Sequence, residues 1–212
     1  MKVQDVHAHG MAKSTALSGF HMADAIGPLE IIAALNRVQV SFVLVGAYGL
    51  AGWTKKARAT EDVDIIVASR HHKKAVKALL EAFNHLEADE HHVVTRLRDK
   101  VTHDVAIDVM RPSQQLFREA FKHTHLVNVP GQSYRIPSLE MALAMKFAPM
   151  ISLHRQDEDK HLDAHDFIAM VKANPDIDIE RLAELGELVY LGGGKEIVDK
   201  VDQVRRGEAL KL

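Results

Sequence analysis

Two hydrophobic rhythms run along this chain, and the second replaces the first near residue 137. Up to that point short β-branched runs alternate with helical stripes; after it only the helical period persists. Gly27-Pro28 opens a helix whose apolar positions are Leu29, Ile32, Leu35 and Val38. The run 40–45 predicts a buried strand ending at Gly46, followed by a short helix over 48–53 and a polar loop with Lys55, Lys56, Arg58 and Thr60. A second strand is predicted over 62–68. The stretch 69–83 reads as a surface helix, with Val76, Leu79, Leu80 and Phe83 inward and Lys73, Lys74 and Lys77 outward. Segments 92–97 and 103–110 read as a hairpin turning at Arg98-Asp99-Lys100, and Pro112 closes it. A helix over 114–122 and short strands over 125–129 and 134–136 complete the first half. Ser138 is a good N-cap with Glu140 in the first turn of a helix running to about Met150. Three more helices follow: one ending near Asn174-Pro175, then 179–188 and 195–204. The expected organisation is therefore 1–136, mixed in structure, and 137–212, all helical.

Composition narrows the chemistry. The 212 residues carry a formal net charge of −2, which argues against a surface wholly given to nucleic acid. There is no cysteine, so disulfides, thiolate zinc sites and cysteine nucleophiles are excluded. No apolar run approaches the roughly 20 residues of a membrane span, and residues 1–10 lack an apolar signal core. A cytoplasmic protein with no membrane partner is the expectation.

Within the apolar second strand stand two acids, Asp62 and Asp64. Alternation puts them on one face, with α-carbons roughly 6–7 Å apart, while Val63, Ile65 and Val67 face a core. Like charges so placed repel, and a divalent cation is the simplest relief, since hard cations take carboxylate oxygens. A third acid should come from the strand Asp104-Val105-Ala106-Ile107-Asp108-Val109-Met110. Asp104 and Asp108 share a face but lie about 13 Å apart along a strand, so only one can join a compact site. Asp108, bracketed by Ile107 and Val109, is favoured; Asp104 is the reserve.

Gly46-Ala47-Tyr48, the block Arg58-Ala59-Thr60-Glu61-Asp62-Val63-Asp64 and Ile107-Asp108-Val109 resemble the DNA polymerase beta-like nucleotidyltransferases, most closely the bacterial abortive-infection toxins of that superfamily. Pro137-Ser138-Leu139-Glu140, Lys146, Arg155 and Lys160-His161-Leu162-Asp163 look like the helical half of such proteins, and the resemblance spans about 40–167. Two departures stand out: Ala47 replaces the second glycine of the usual turn, and Lys160-His161 replaces a Lys-Asp pair. The resemblance implies an α+β fold, a mixed twisted sheet flanked by helices and followed by a C-terminal helical bundle. It implies a nucleoside triphosphate as donor, two Mg2+ ions held by Asp62, Asp64 and Asp108, and transfer to an acceptor hydroxyl with loss of pyrophosphate. Gly46 and Ala47 would form the phosphate turn, Arg58 and Lys146 would meet the triphosphate, and Thr60 would donate a hydroxyl or cap the strand. The toxin likeness implies a toxin–antitoxin or phage-defence role, with RNA, protein or a small molecule as acceptor and a cognate antitoxin as partner.

The alternatives use the same residues differently. A catalytically inactive nucleotide-binding regulator would keep the site without turnover, and a metal-dependent phosphohydrolase would release phosphate without transfer. The fourteen histidines read as surface residues, because adjacent pairs such as His71-His72 face apart. His161 and His165 are spaced i, i+4 but lack the glutamate of a helical zinc motif. Gly192-Gly193-Gly194-Lys195 lacks the spacing and the following Ser/Thr of a phosphate loop, and reads as a helix-to-helix turn.

Overall fold

A computed structural model of the chain describes residue 7 and residues 11–12, 26–55 and 59–210. The chain divides into two compact units, one of Met1–Gly52 with Lys56–Pro137, the other of Trp53–Lys55 with Ser138–Leu212.

The first unit is built on a five-stranded mixed sheet. Its strands are β1 (Phe42–Leu44), β2 (Val63–Val67), β3 (Leu86–Glu90), β4 (Val94–Asp99) and β5 (Val105–Met110), in the order β1-β2-β5-β4-β3. Only β2 and β5 run parallel; the other neighbours are antiparallel. Val63, Ile65, Val67, Ile107, Val109 and Leu97 are buried, and that alternation fixes which way the polar residues between them face. Helix α1 (Pro28–Arg37) buries Ile31, Ile32 and Leu35 and packs on α3 (His72–Ala82), which buries Ala75, Val76 and Leu79. A ribbon of β6 (Thr124–Val129) and β7 (Gln132–Pro137) lies against β1, after the short α4 (Gln115–Glu119).

Helix α2 (Gly46–Thr54) buries Tyr48, Leu50, Ala51 and Trp53, apolar on most sides as an interior helix must be. Gly49 lets it lie directly on the chain: a β-carbon there would stand 2.9 Å from the Leu44 carbonyl carbon.

The second unit is a helical bundle of α5 (Leu139–Met150), α6 (Asp157–Ala173), α7 (Ile179–Glu187) and α8 (Gly193–Arg206). Phe147, Phe167, Met170, Leu182, Leu185, Ile197 and Val201 form its interior. Ser138 Oγ accepts from the Met141 amide at 3.3 Å and starts α5; Asp178 starts α7 by accepting from the Arg181 amide at 3.0 Å. Glu187 accepts from the Gly192 and Gly194 amides at 2.9 and 3.1 Å, so the glycine run is a turn already closed by a carboxylate. No described helix is long and apolar enough to cross a membrane.

The α+β sheet and helices match the expected architecture, with three local differences. Strand β3 lies outside the predicted elements, since Leu86 is the one buried apolar side chain in it. The hairpin turn falls later than expected: Arg98 and Asp99 belong to β4, and Asp99 Oδ1 organises the turn by accepting from the Val101 and Thr102 amides at 2.7 and 2.9 Å. Two histidines are interior rather than superficial. His72 lies within 3.2 Å of the Val109 carbonyl, and burial pulls its pKa down; burial takes His7 down to about 4.

The contact of α2 with Leu44 yields a test. Gly49→Ala should destabilise the protein by roughly 1–3 kcal/mol, the usual range for overpacking. At about 2–4 °C per kcal/mol for a chain of this size, thermal melting should show it clearly. An unchanged melting temperature would mean that α2 does not need this close approach.

Candidate active site

The sheet positions the site through register. β2 and β5 pair with Asp64 opposite Asp108, and β5 and β4 pair with Asp108 opposite Arg96. Neighbouring strands lie about 4.8 Å apart, so residues in register stand side by side on one face. Asp62 directly precedes β2. One oxygen from each of Asp62, Asp64 and Asp108 lies within 4.8 Å of the other two, and all three side chains are half-buried. This is the single group among the described residues with the spacing of a metal site.

Each acid is held differently. Thr60 Oγ1 donates to Asp62 Oδ1 at 3.0 Å, which fixes one carboxylate oxygen at the entrance to the strand. Asp64 is secured through its backbone, whose carbonyl accepts from the Val45 amide at 2.9 Å. That bond clips the turn before α2 onto β2. The next residue, Gly46, has φ +59°, a left-handed conformation that favours glycine. A β-carbon there would stand 2.7 Å from Asp64 Cγ, so Gly46 leaves the room that the Asp64 carboxylate fills. The turn thus brings the amino end of α2, with its partial positive charge and exposed amides, beside the acids.

Asp108 is the strained member. Its Oδ1 is buried without a hydrogen-bond partner, and Arg96 Nε, at 3.7 Å, is too far to supply one. Burial pushes the Asp108 carboxyl up, Arg96 pulls it down and Asp62 pushes it up again; the net direction is upward. A buried carboxylate oxygen without a donor, facing two more carboxylates, has the chemistry of a hard-cation ligand set. The residues present therefore fit a divalent metal.

The other expected site residues fall into place unevenly. Ala47 lies in the first turn of α2, partly exposed next to Gly46. Arg58 lies outside the described residues. Asp104, the reserve ligand, is exposed in the turn before β5 and is not in the cluster. Lys146 belongs to the helical unit, where its ammonium meets Asp163 at 2.8 Å and Asp166 at 2.9 Å, with 14% of the side chain exposed. Burial works against that charge, but Asp166 and Asp163 outweigh it and raise the Lys146 pKa. Arg155 Nε completes the cluster at 2.7 Å from Asp163. Arg111 and Arg135 bond away from Asp108, to the His91 carbonyl and to Thr124. The residue that does stand by Asp108, Arg96, is one that sequence reasoning does not single out. The signal is present in the alternation Thr95-Arg96-Leu97-Arg98, but it points to Asp108 only once the β4–β5 register is known.

Comparison with known proteins gives a family and a fold. The family model for aminoglycoside-2''-adenylyltransferase matches residues 29–167. No curated protein matches the chain in sequence. Among solved structures it is similar to an antigenic nucleotidyltransferase-like protein from Paracoccidioides brasiliensis, at 16% identity over 85% of this chain and 93% of that one, with a TM-score of 0.50. It is also similar to the antibiotic-resistance factor ANT(2'')-Ia, at 10% identity over 85% of this chain and 95% of that one, again with a TM-score of 0.50. At these identities the likeness is one of fold. The family match covers the glycine turn, all three acids and the start of the helical unit, and on it the chain belongs to the aminoglycoside-2''-adenylyltransferase family of polymerase beta-like nucleotidyltransferases.

Proposed function

We propose that this protein transfers a nucleoside monophosphate, with ATP as the first candidate donor, to a hydroxyl group of a small molecule and releases pyrophosphate. The observation that carries the reading is the convergence of Asp62, Asp64 and Asp108 to within 4.8 Å beside the Gly46 turn. In the reaction the acceptor oxygen forms a bond to the α-phosphorus while the bond from that phosphorus to the bridging oxygen of pyrophosphate breaks. The acceptor's proton must leave, and Asp108, whose carboxyl is pushed up by burial, is the acid we assign to take it. Gly46 and Ala47 open the α2 amides to the β- and γ-phosphates. Arg58 would add a guanidinium to the triphosphate. Thr60 keeps Asp62 aimed. Asp62, Asp64 and Asp108 would hold Mg2+, two ions in the full complement, whose charge would stabilise both the attacking and the leaving oxygen. Lys146, expected to meet the triphosphate, holds Asp163 and Asp166 within the helical unit.

The family match favours a small acceptor. The toxin–antitoxin reading, with RNA or protein as acceptor and an antitoxin as partner, rests on sequence resemblance alone: the Gly46-Ala47 turn, Arg58-x-Thr60-x-Asp62-x-Asp64, Ile107-Asp108-Val109 and the helical residues Lys146 to Asp163.

Three outcomes test the proposal. With Mg2+, cell extract and each of four α-labelled nucleoside triphosphates, label from ATP should enter the small-molecule fraction, and Asp64→Asn should abolish this while retaining the native circular dichroism. Release of orthophosphate with no labelled product would replace transfer by hydrolysis. Thr60→Val should raise the Mg2+ concentration for half-maximal activity by about tenfold or more, the usual cost of losing a partner that orients a metal ligand. Asp108→Asn should raise the melting temperature of metal-free protein at pH 7 while eliminating activity. The sign follows from linkage: a carboxyl with a raised folded pKa contributes stability below its unfolded pKa, and that contribution is lost as pH rises through the folded value. The stabilisation by Asp108→Asn should therefore fade at low pH, and a melting temperature that falls at pH 7 would contradict it.

A further inference from the structure

Beyond Asp108 the same sheet face continues with charges that donor binding does not use. Register aligns Asp64, Asp108, Arg96 and Asp89 across β2, β5, β4 and β3, with Arg98 opposite Glu87 two residues along β4. Most of these are committed. Arg98 Nε donates to Asp89 at 3.0 Å and its Nη1 to the His103 carbonyl at 3.1 Å. His91 also meets Asp89, at 3.0 Å, and Glu87 stands 3.8 Å from His103. Arg96 is the exception. Among the described residues its side chain makes no hydrogen bond; its partner is Asp108 at 3.7 Å, and 42% of its side chain is exposed. If Asp108 gives its oxygens to a cation, the Arg96 guanidinium is left with no carboxylate to balance it.

The order of strands says which substrate meets it. Displacement at phosphorus keeps the attacking and leaving oxygens roughly in line. The Gly46 turn and the α2 amides, suited to the leaving pyrophosphate, lie on the β1–β2 side of Asp64. The attacking hydroxyl must then come from the opposite side, across Asp108, where β4 presents Arg96.

We propose that Arg96 forms an anion subsite for the acceptor, binding a phosphate or carboxylate carried by the molecule whose hydroxyl reacts. A planar guanidinium suits a bidentate oxyanion, and it disfavours a polycation at the same place. The acceptor class is then a hydroxylated anion such as a sugar phosphate, and polyamine sugars are poor acceptors. This rests on reading the acids as a nucleotidyl-transfer site.

The test uses binding, so the physiological acceptor need not be identified first. Full-length protein with Mg2+ and a non-hydrolysable ATP analogue is titrated with glucose 6-phosphate, glucose and tobramycin. Wild type should bind glucose 6-phosphate at least tenfold more tightly than either glucose or tobramycin. Arg96→Gln should lose that preference, Arg96→Lys should keep part of it, and the affinity for the ATP analogue should stay within about twofold in both. The proposal is overturned if tobramycin binds as tightly as the sugar phosphate, if Arg96→Gln leaves sugar phosphate binding unchanged, or if the substitution weakens the ATP analogue by the same factor, which would move Arg96 to the donor. If wild type binds no ATP analogue in Mg2+, the transfer reading itself falls, and the acceptor subsite with it.

Discussion

Everything at the site depends on the hydrophobic core holding like charges together. Asp64 and Asp108 stand side by side because β2 and β5 cannot slip: a shift of one residue would expose Val63, Ile65, Val67, Ile107 and Val109 and bury the acids. The magnitudes decide the matter. Burying one such side chain stabilises by about 1.5–3 kcal/mol, so five contribute on the order of 10 kcal/mol. Two carboxylates about 5 Å apart repel by about 3 kcal/mol at an effective dielectric of 20. The sheet can therefore carry the repulsion with a margin.

On the proposed reading, the same sheet would work as a ruler for the two substrates. On one side the left-handed Gly46 turn, clipped by the Val45–Asp64 backbone bond, aims helix amides at the acids. On the other, β4 offers Arg96 and the committed Arg98–Asp89 pair. Strand order would thus turn a chemical requirement, leaving group opposite nucleophile, into spatial separation along the hydrogen-bonding direction. The chain's near-neutral net charge conceals this arrangement, because it averages clusters of opposite sign.

What can be read from the chain is what depends on neighbours in sequence. Parity puts Asp62 and Asp64 on one face, and the apolar bracket of Ile107 and Val109 prefers Asp108 to Asp104; both follow from one strand at a time. The Ser138 cap and the apolar stripes of the helices are likewise local. What escapes depends on pairing between segments. β3 is an edge strand with acidic and small residues, Leu86-Glu87-Ala88-Asp89-Glu90, and it exists because β4 pairs with it and Arg98 answers Asp89. Arg96 carries no local mark that distinguishes it from any exposed strand arginine. His72 looks like half of a surface pair, yet the turn of α3 buries it while leaving Lys73 and Lys74 outside.

Lys146 shows the same limit from the other direction. A lysine in an apolar helix, upstream of a charged stretch, invites a role with phosphate. Its surroundings assign the charge elsewhere: Asp163 and Asp166 sit at 2.8 and 2.9 Å, and Arg155 shares Asp163. Removing that ammonium would cost several kcal/mol, since it would break two ion pairs to nearly buried carboxylates. Lys146 and Asp108 are therefore opposite cases of one rule. Where the fold has already neutralised a buried charge, as around Lys146, the group serves the fold. Where it leaves a carboxylate oxygen without a donor on a sheet strong enough to hold it, as at Asp108 Oδ1, the group is the one we propose for a ligand.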